Sequence, residues 1–134
     1  MVQMTTKYLG SLRTKATHLK SGDQLLTDAP VDNNGKGEAF SPTDLVCTAL
    51  ASCMTTLMGI YANKHNIDLT GLQTNIVKVM SKNPRKINEI IIDFKLNDFH
   101  ESEKHITRLK NAAMTCPVAL SLSADLKQTV TFNF

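Results

Sequence analysis

Residues 45 to 62 of this chain, LVCTALASCMTTLMGIYA, carry no charge, in a sequence of which 20% is charged. Eighteen uncharged residues touch the lower bound for a membrane-spanning helix. The run nevertheless contains a serine, three threonines, two cysteines and a glycine, and no aromatic belt flanks it. A helix that is apolar nearly all round can equally be one buried on every side in a soluble core, and that is the expectation here. Its start is marked by FSPTDL. Ser41 suits an N-cap, Pro42 the first helical position, where no N–H is missed, and Asp44 the first turn, where a carboxylate meets the positive helix end. The helix can run to His65, about 36 Å at 1.5 Å per residue. A chain of 134 residues has difficulty covering such a helix alone, so a second subunit is expected to supply the remaining cover.

That length suits one domain, residues 1–134, and 42% hydrophobic residues give it enough apolar material for a core. The formal charge of +3 comes from 15 basic and 12 acidic residues, with the lysines mostly scattered singly and only KNPRK, residues 82 to 86, clustered. Five Phe, two Tyr and no Trp leave little for stacking on bases, so nucleic-acid binding is not expected. The opening MVQMTTKYLG lacks the apolar run of a signal peptide, which points to a cytoplasmic protein with reduced thiols. Three cysteines are an odd number, which argues against a simple disulfide framework and leaves metal binding, redox chemistry or inert burial.

Along the rest of the chain, residues 7 to 20 read as a strand, KSGD as a turn and QLLTD as a second strand. APVDNNGKGEAF, residues 29 to 40, reads as an exposed loop that could border a site. Beyond the long helix, residues 72–81 and 87–97 are strand-like on either side of NPRK, and Ile90, Ile92, Phe94 and Leu96 share one face with period two. Ser102 is placed to cap an amphipathic helix with Ile106, Leu109 and Ala113 on its apolar side, Pro117 to open a short helix, and TVTFNF to form a last strand. The order is that of an α+β fold with mostly antiparallel pairing.

The sequence has no phosphate-binding glycine loop, serine nucleophile motif or HExxH pair. His18, His65, His100 and His105 are dispersed among polar residues and read as surface side chains. Cys47 and Cys53 are six residues apart, about 240° around a helix, and cannot chelate one ion, so no metal or other cofactor is expected. Cys53 and Cys116 each stand on or beside a helix among small neighbours, in ALASC and TCPVA. They read either as a reactive pair with room for a substrate or as two small buried hydrophobes.

FSPTDLVCTALASCMTTLMGIYA together with TCPVALSLSADL resembles the OsmC/Ohr superfamily of osmotically inducible and organic hydroperoxide resistance proteins. The shared pattern is a helix opening on Ser/Asn-Pro that reaches a cysteine eleven residues after the proline, followed by a Cys-Pro near the C-terminus. The resemblance implies antiparallel sheets around a long buried central helix, in an intertwined homodimer with active sites at the subunit interface. It also implies a thiol peroxidase. Cys53 would attack an organic hydroperoxide and become a sulfenic acid, Cys116 would resolve it to a disulfide, and a dithiol such as a dihydrolipoyl group would reduce that disulfide.

Cys53 lies about three turns into its helix, beyond the reach of the macrodipole, so its activation calls for a cation. The family supplies an N-terminal arginine held by a glutamate directly after the helix-opening proline. Arg13 is the candidate arginine here, and a solvated strand arginine is its other reading. The glutamate position holds Thr43. Asp44 is nine residues from Cys53, about 180° around the axis, and reads as a helix cap rather than a substitute. Cys47 has no counterpart in the pattern and reads as a buried structural cysteine. The departure at Thr43 keeps open a non-catalytic binding module with a thiol-lined pocket, or a purely structural dimer.

Overall fold

The computed structural model describes residues 1–134. They form an α+β arrangement of two three-stranded sheets and three α-helices, divided into two compact units, Met1–Val46 and Cys47–Phe134.

The first unit is the sheet of β1 (Met4–Gly10), β2 (Arg13–His18) and β3 (Gln24–Asp28), antiparallel throughout. The single strand expected over residues 7 to 20 is therefore two, and the correction has a local cause. Ser11 and Leu12 form a two-residue turn with φ of 53° and 62°, the paired left-handed conformation of a tight hairpin. Neither residue belongs to the Asn-Gly class that advertises such a turn. β1 is exposed along almost its whole length, whereas Thr27 and Asp28 at the end of β3 are buried.

The loop after β3 folds back on itself. It carries a 3-10 turn at Val31–Asn33, and the amides of Gly35 and Gly37 donate to the carbonyls of Pro30 and Ala29. A Cβ at Gly35 would lie 1.7 Å from the Ala29 carbonyl oxygen, so no other residue fits there. The loop ends with the Asp28 amide donating to the Phe40 carbonyl, which returns the chain to the end of β3.

Helix α1, Pro42–Lys64, begins where the sequence marks it. The Asp44 amide donates to Ser41 Oγ at 3.1 Å and the Ser41 amide to Asp44 Oδ2 at 3.0 Å, a reciprocal cap at the helix start. Long and apolar enough to cross a membrane by length and composition, α1 buries one stripe within the chain: Cys47, Leu50, Ala51, Met54, Met58 and Ala62. Ser52, Thr56 and Ile60 on other faces are exposed.

In the second unit β4 (Gln73–Ser81) and β5 (Lys86–Lys95) form an antiparallel hairpin, and β6 (Lys127–Asn133) adds to β5 in parallel. A parallel neighbour requires a crossover. Helices α2 (Glu103–Met114) and α3 (Pro117–Ser121) provide it. Of the expected face, Leu96 lies just past the end of β5 and is half-buried, whereas Ile90, Ile92 and Phe94 are fully buried and join Leu50, Met54, Met58 and Leu109 in one core cluster. Each such side chain contributes about 1.5–3 kcal/mol relative to exposure. Leu109 and Ala113 turn inward from α2 as its periodicity predicts, and Ser102 Oγ caps it by accepting from the His105 amide.

Candidate active site

Two cysteines meet in the second unit. Cys53 is half-buried on α1 and Cys116 is fully buried at the turn between α2 and α3. The Cys-Pro step explains the position of the second. Pro117 starts α3 without an amide to satisfy, and Cys116, with extended backbone, stands at the N-cap. Its Sγ accepts from the Ala119 amide at 3.3 Å, taking the place of the oxygen acceptor usual there.

Cys53 packs against the buried core cluster that contains Cys116, near enough to raise its pKa, and both sulfurs are free. Burial pushes the Cys116 pKa up, and the neighbouring Cys53 adds to the shift, while the Ala119 and Val118 amides oppose it in part. Cys116 thus stays a neutral thiol where an ordinary cysteine begins to ionise. Cys47 belongs to the buried core cluster, as its structural reading predicts.

Arg13 in the first unit is no freely solvated strand arginine. Its Nε donates to Asp28 Oδ1 at 2.7 Å and its Nη2 to Asp28 Oδ2 at 2.8 Å, a bidentate pair across the β2–β3 register. Nη2 also donates to Glu38 Oε2 at 3.0 Å. The Arg13 hydrogen bonds hold the Asp28 carboxyl below the usual carboxylate range, and the two carboxylates push the guanidinium pKa further up. The carboxylates around Arg13 therefore come from β3 and the following loop. Thr43 shares a hydrogen bond with Ser41 Oγ, inside the α1 cap.

A second cluster escapes the sequence reading. Tyr61 Oη lies 2.8 Å from His105 Nδ1, and the Tyr61 and His65 rings are 4.3 Å apart. His105 is half-buried rather than a surface side chain, because α1 and α2 meet there; His65 is exposed. A cleft of about 680 Å³ opens beside this cluster, lined by Tyr61, Lys104, Arg108, Asn111 and Thr115 among others. Another, of about 410 Å³, lies between α1 and β4, at Ser52, Thr55 and Thr74. Neither cleft is lined by a cysteine. No group of three or more His, Cys, Asp or Glu side chains is gathered to hold a metal ion.

Two free cysteines, one buried and one half-buried, are thus neighbours in the second unit. It belongs to the OsmC-like protein family, whose model matches residues 35–131. A Psychrobacter arcticus protein, described as an osmotic stress induced and detoxification response protein, has a crystal structure similar to this one. It is 46% identical, with a TM-score of 0.95, over 99% of this chain and 96% of that one. An organic hydroperoxide resistance protein OsmC from Legionella pneumophila shares the fold at 15% identity and a TM-score of 0.75, covering 100% of this chain and 98% of the other. The organic hydroperoxide resistance protein OhrB of Bacillus subtilis does so at 14% identity and a TM-score of 0.63, covering 99% and 98%. No characterised, curated protein matches the sequence.

Proposed function

We propose that this protein is a thiol-dependent peroxidase that reduces organic hydroperoxides, acting as a homodimer in the cytoplasm. The observation that carries the reading is the pairing of Cys53 with Cys116, one thiol kept neutral by burial next to another with partial access to solvent. Family membership and the hydroperoxide resistance proteins that share the fold support it.

In the proposed cycle the Cys53 thiolate attacks the terminal oxygen of ROOH. The O–O bond breaks, the alkoxide leaves and takes up a proton as ROH, and Cys53 becomes a sulfenic acid. Cys116, once deprotonated, attacks the Cys53 sulfur, and the displaced hydroxide leaves as water as the disulfide forms. An external dithiol, of which a dihydrolipoyl group is one example, reduces the disulfide by exchange and is itself oxidised to a cyclic disulfide. Arg13 is the cation assigned to support the thiolate. A partner subunit is supported by the apolar side chains the chain leaves exposed, among them Met4, Tyr8, Leu25, Leu26 and Ile60.

The test is turnover of an alkyl hydroperoxide with a dithiol donor. Wild type should consume peroxide and Cys53→Ser should not; equal rates, or none in either, would remove the proposal. Thr43 in place of the family's glutamate favours a second reading, a binding module that retains the thiol pair without turnover. A Cys53–Cys116 disulfide seen by mass spectrometry after one equivalent of hydroperoxide excludes it.

A further inference from the structure

Helix α2 turns two faces in opposite directions. Leu109 and Ala113 are buried in the core, while Lys104, Arg108 and Asn111, spaced by four and three residues, form an exposed stripe along the other side. That stripe lines the cleft of about 680 Å³, and the ring of Tyr61 from α1 lines it too, so the cleft lies within the second unit. Tyr61 is held in place there, because its hydroxyl is bonded to His105 Nδ1 at 2.8 Å and its ring packs on that of His65 at 4.3 Å.

The positive charges of the cleft are left without partners. Lys104 and Arg108 stand about one helical turn apart, an arrangement in which like charges repel. Neither forms an ion pair, whereas Lys86, Lys95 and Lys127 each have a carboxylate partner. Glu103 is the one acid on the lining. It lies about 100° around the helix from Lys104, in the first turn, where the positive helix end suits a carboxylate. Lys104 and Arg108 against Glu103 give the lining a net charge of +1.

We propose that this cleft binds a small organic phosphate monoester. Arg108 presents a planar fork that matches two phosphate oxygens, Lys104 a compact charge for the third, and Thr107 and Asn111 neutral donors beside them. Tyr61 gives the organic group an apolar surface. A monoester carries about −1.5 to −2 at neutral pH, which answers both cations, whereas a carboxylate carries a single charge on two oxygens. The volume falls within the range of about 300–1,000 Å³ common for small-molecule sites and exceeds what a bare ion fills. No cysteine lines the cleft, and binding there is independent of the peroxidase reading.

The experiment titrates phenyl phosphate into ¹⁵N-labelled protein and follows the α2 amides and the Arg108 Nε–H by NMR. Saturable shifts centred on α2 and Tyr61 are expected, with a Kd of about 1 mM or below. Arg108→Gln and Lys104→Gln should each weaken binding about tenfold, while Lys82→Gln, which removes the same charge from the β4–β5 turn, should change it less than about twofold. All three side chains are exposed, and unchanged amide positions elsewhere verify that the variants are folded. Benzoate, with the same ring on a carboxylate, should bind about tenfold more weakly than phenyl phosphate.

Absence of saturable shifts up to about 20 mM phenyl phosphate overturns the proposal, as does an equal loss in Lys82→Gln or equally tight benzoate. Inorganic phosphate bound more tightly than phenyl phosphate is also fatal, because the ring of Tyr61 then contributes nothing. A single-stranded oligonucleotide that shifts the same amides where phenyl phosphate does not would reveal a polyanion surface instead of the proposed site.

Discussion

At the scale of single residues the site depends on Cys116 being a buried thiol at a helix N-cap. Burial raises its pKa, so at neutral pH only a small fraction is the thiolate that attacks the sulfenic acid in the proposed cycle. The fraction grows as pH rises toward the raised value. Disulfide formation after one equivalent of hydroperoxide should therefore accelerate from pH 6 to pH 9, about tenfold per unit while the thiol form dominates. Quenched-flow mass spectrometry measures this, and a pH-independent rate would show that ionisation of Cys116 is not limiting. The two cysteines were legible in the sequence because each is tied to a proline that fixes a helix start. Asp28 and Glu38 were not, for they lie 15 and 25 residues from Arg13 and the loop between them reads only as polar. The contact of Tyr61 with His105 was illegible for the same reason, since it spans 44 residues and exists only where two helices pack.

At the scale of elements, α1 carries the candidate nucleophile and owes its start to the exchange between Ser41 and Asp44. Ser41→Ala leaves the Asp44 amide without its acceptor and should destabilise the protein by about 1 kcal/mol, read as a fall of a few degrees in Tm. The cap was legible because its chemistry is local, and so was β5, whose alternation is the pattern of a strand with one buried face. The hairpin at Ser11 and Leu12 was not, because two non-glycine residues adopt left-handed conformations there at a cost no local propensity anticipates. Nor could alternation reveal that β6 runs parallel to β5. A strand's pattern specifies its faces but not the direction of its neighbour, which is set by the length of the α2–α3 crossover.

At the scale of the whole molecule, large apolar side chains are left exposed in both units. Met4, Tyr8, Leu9, Leu25 and Leu26 are exposed in the first unit, and Ile60 on α1 in the second. Sedimentation should give twice the 14.8 kDa of one chain, and Ile60→Glu, which charges an exposed face of the central helix, should shift the equilibrium toward monomer. A monomeric wild type would contradict the dimer. The sulfur at the head of α3 has a consequence of its own. Forming a disulfide would draw Cys116 Sγ toward a new bond, at the expense of its hold on the Ala119 amide. In a ¹⁵N-labelled sample that amide proton becomes a resonance whose position reports the oxidation state of the pair, a gauge read from inside the fold without a reagent touching either cysteine.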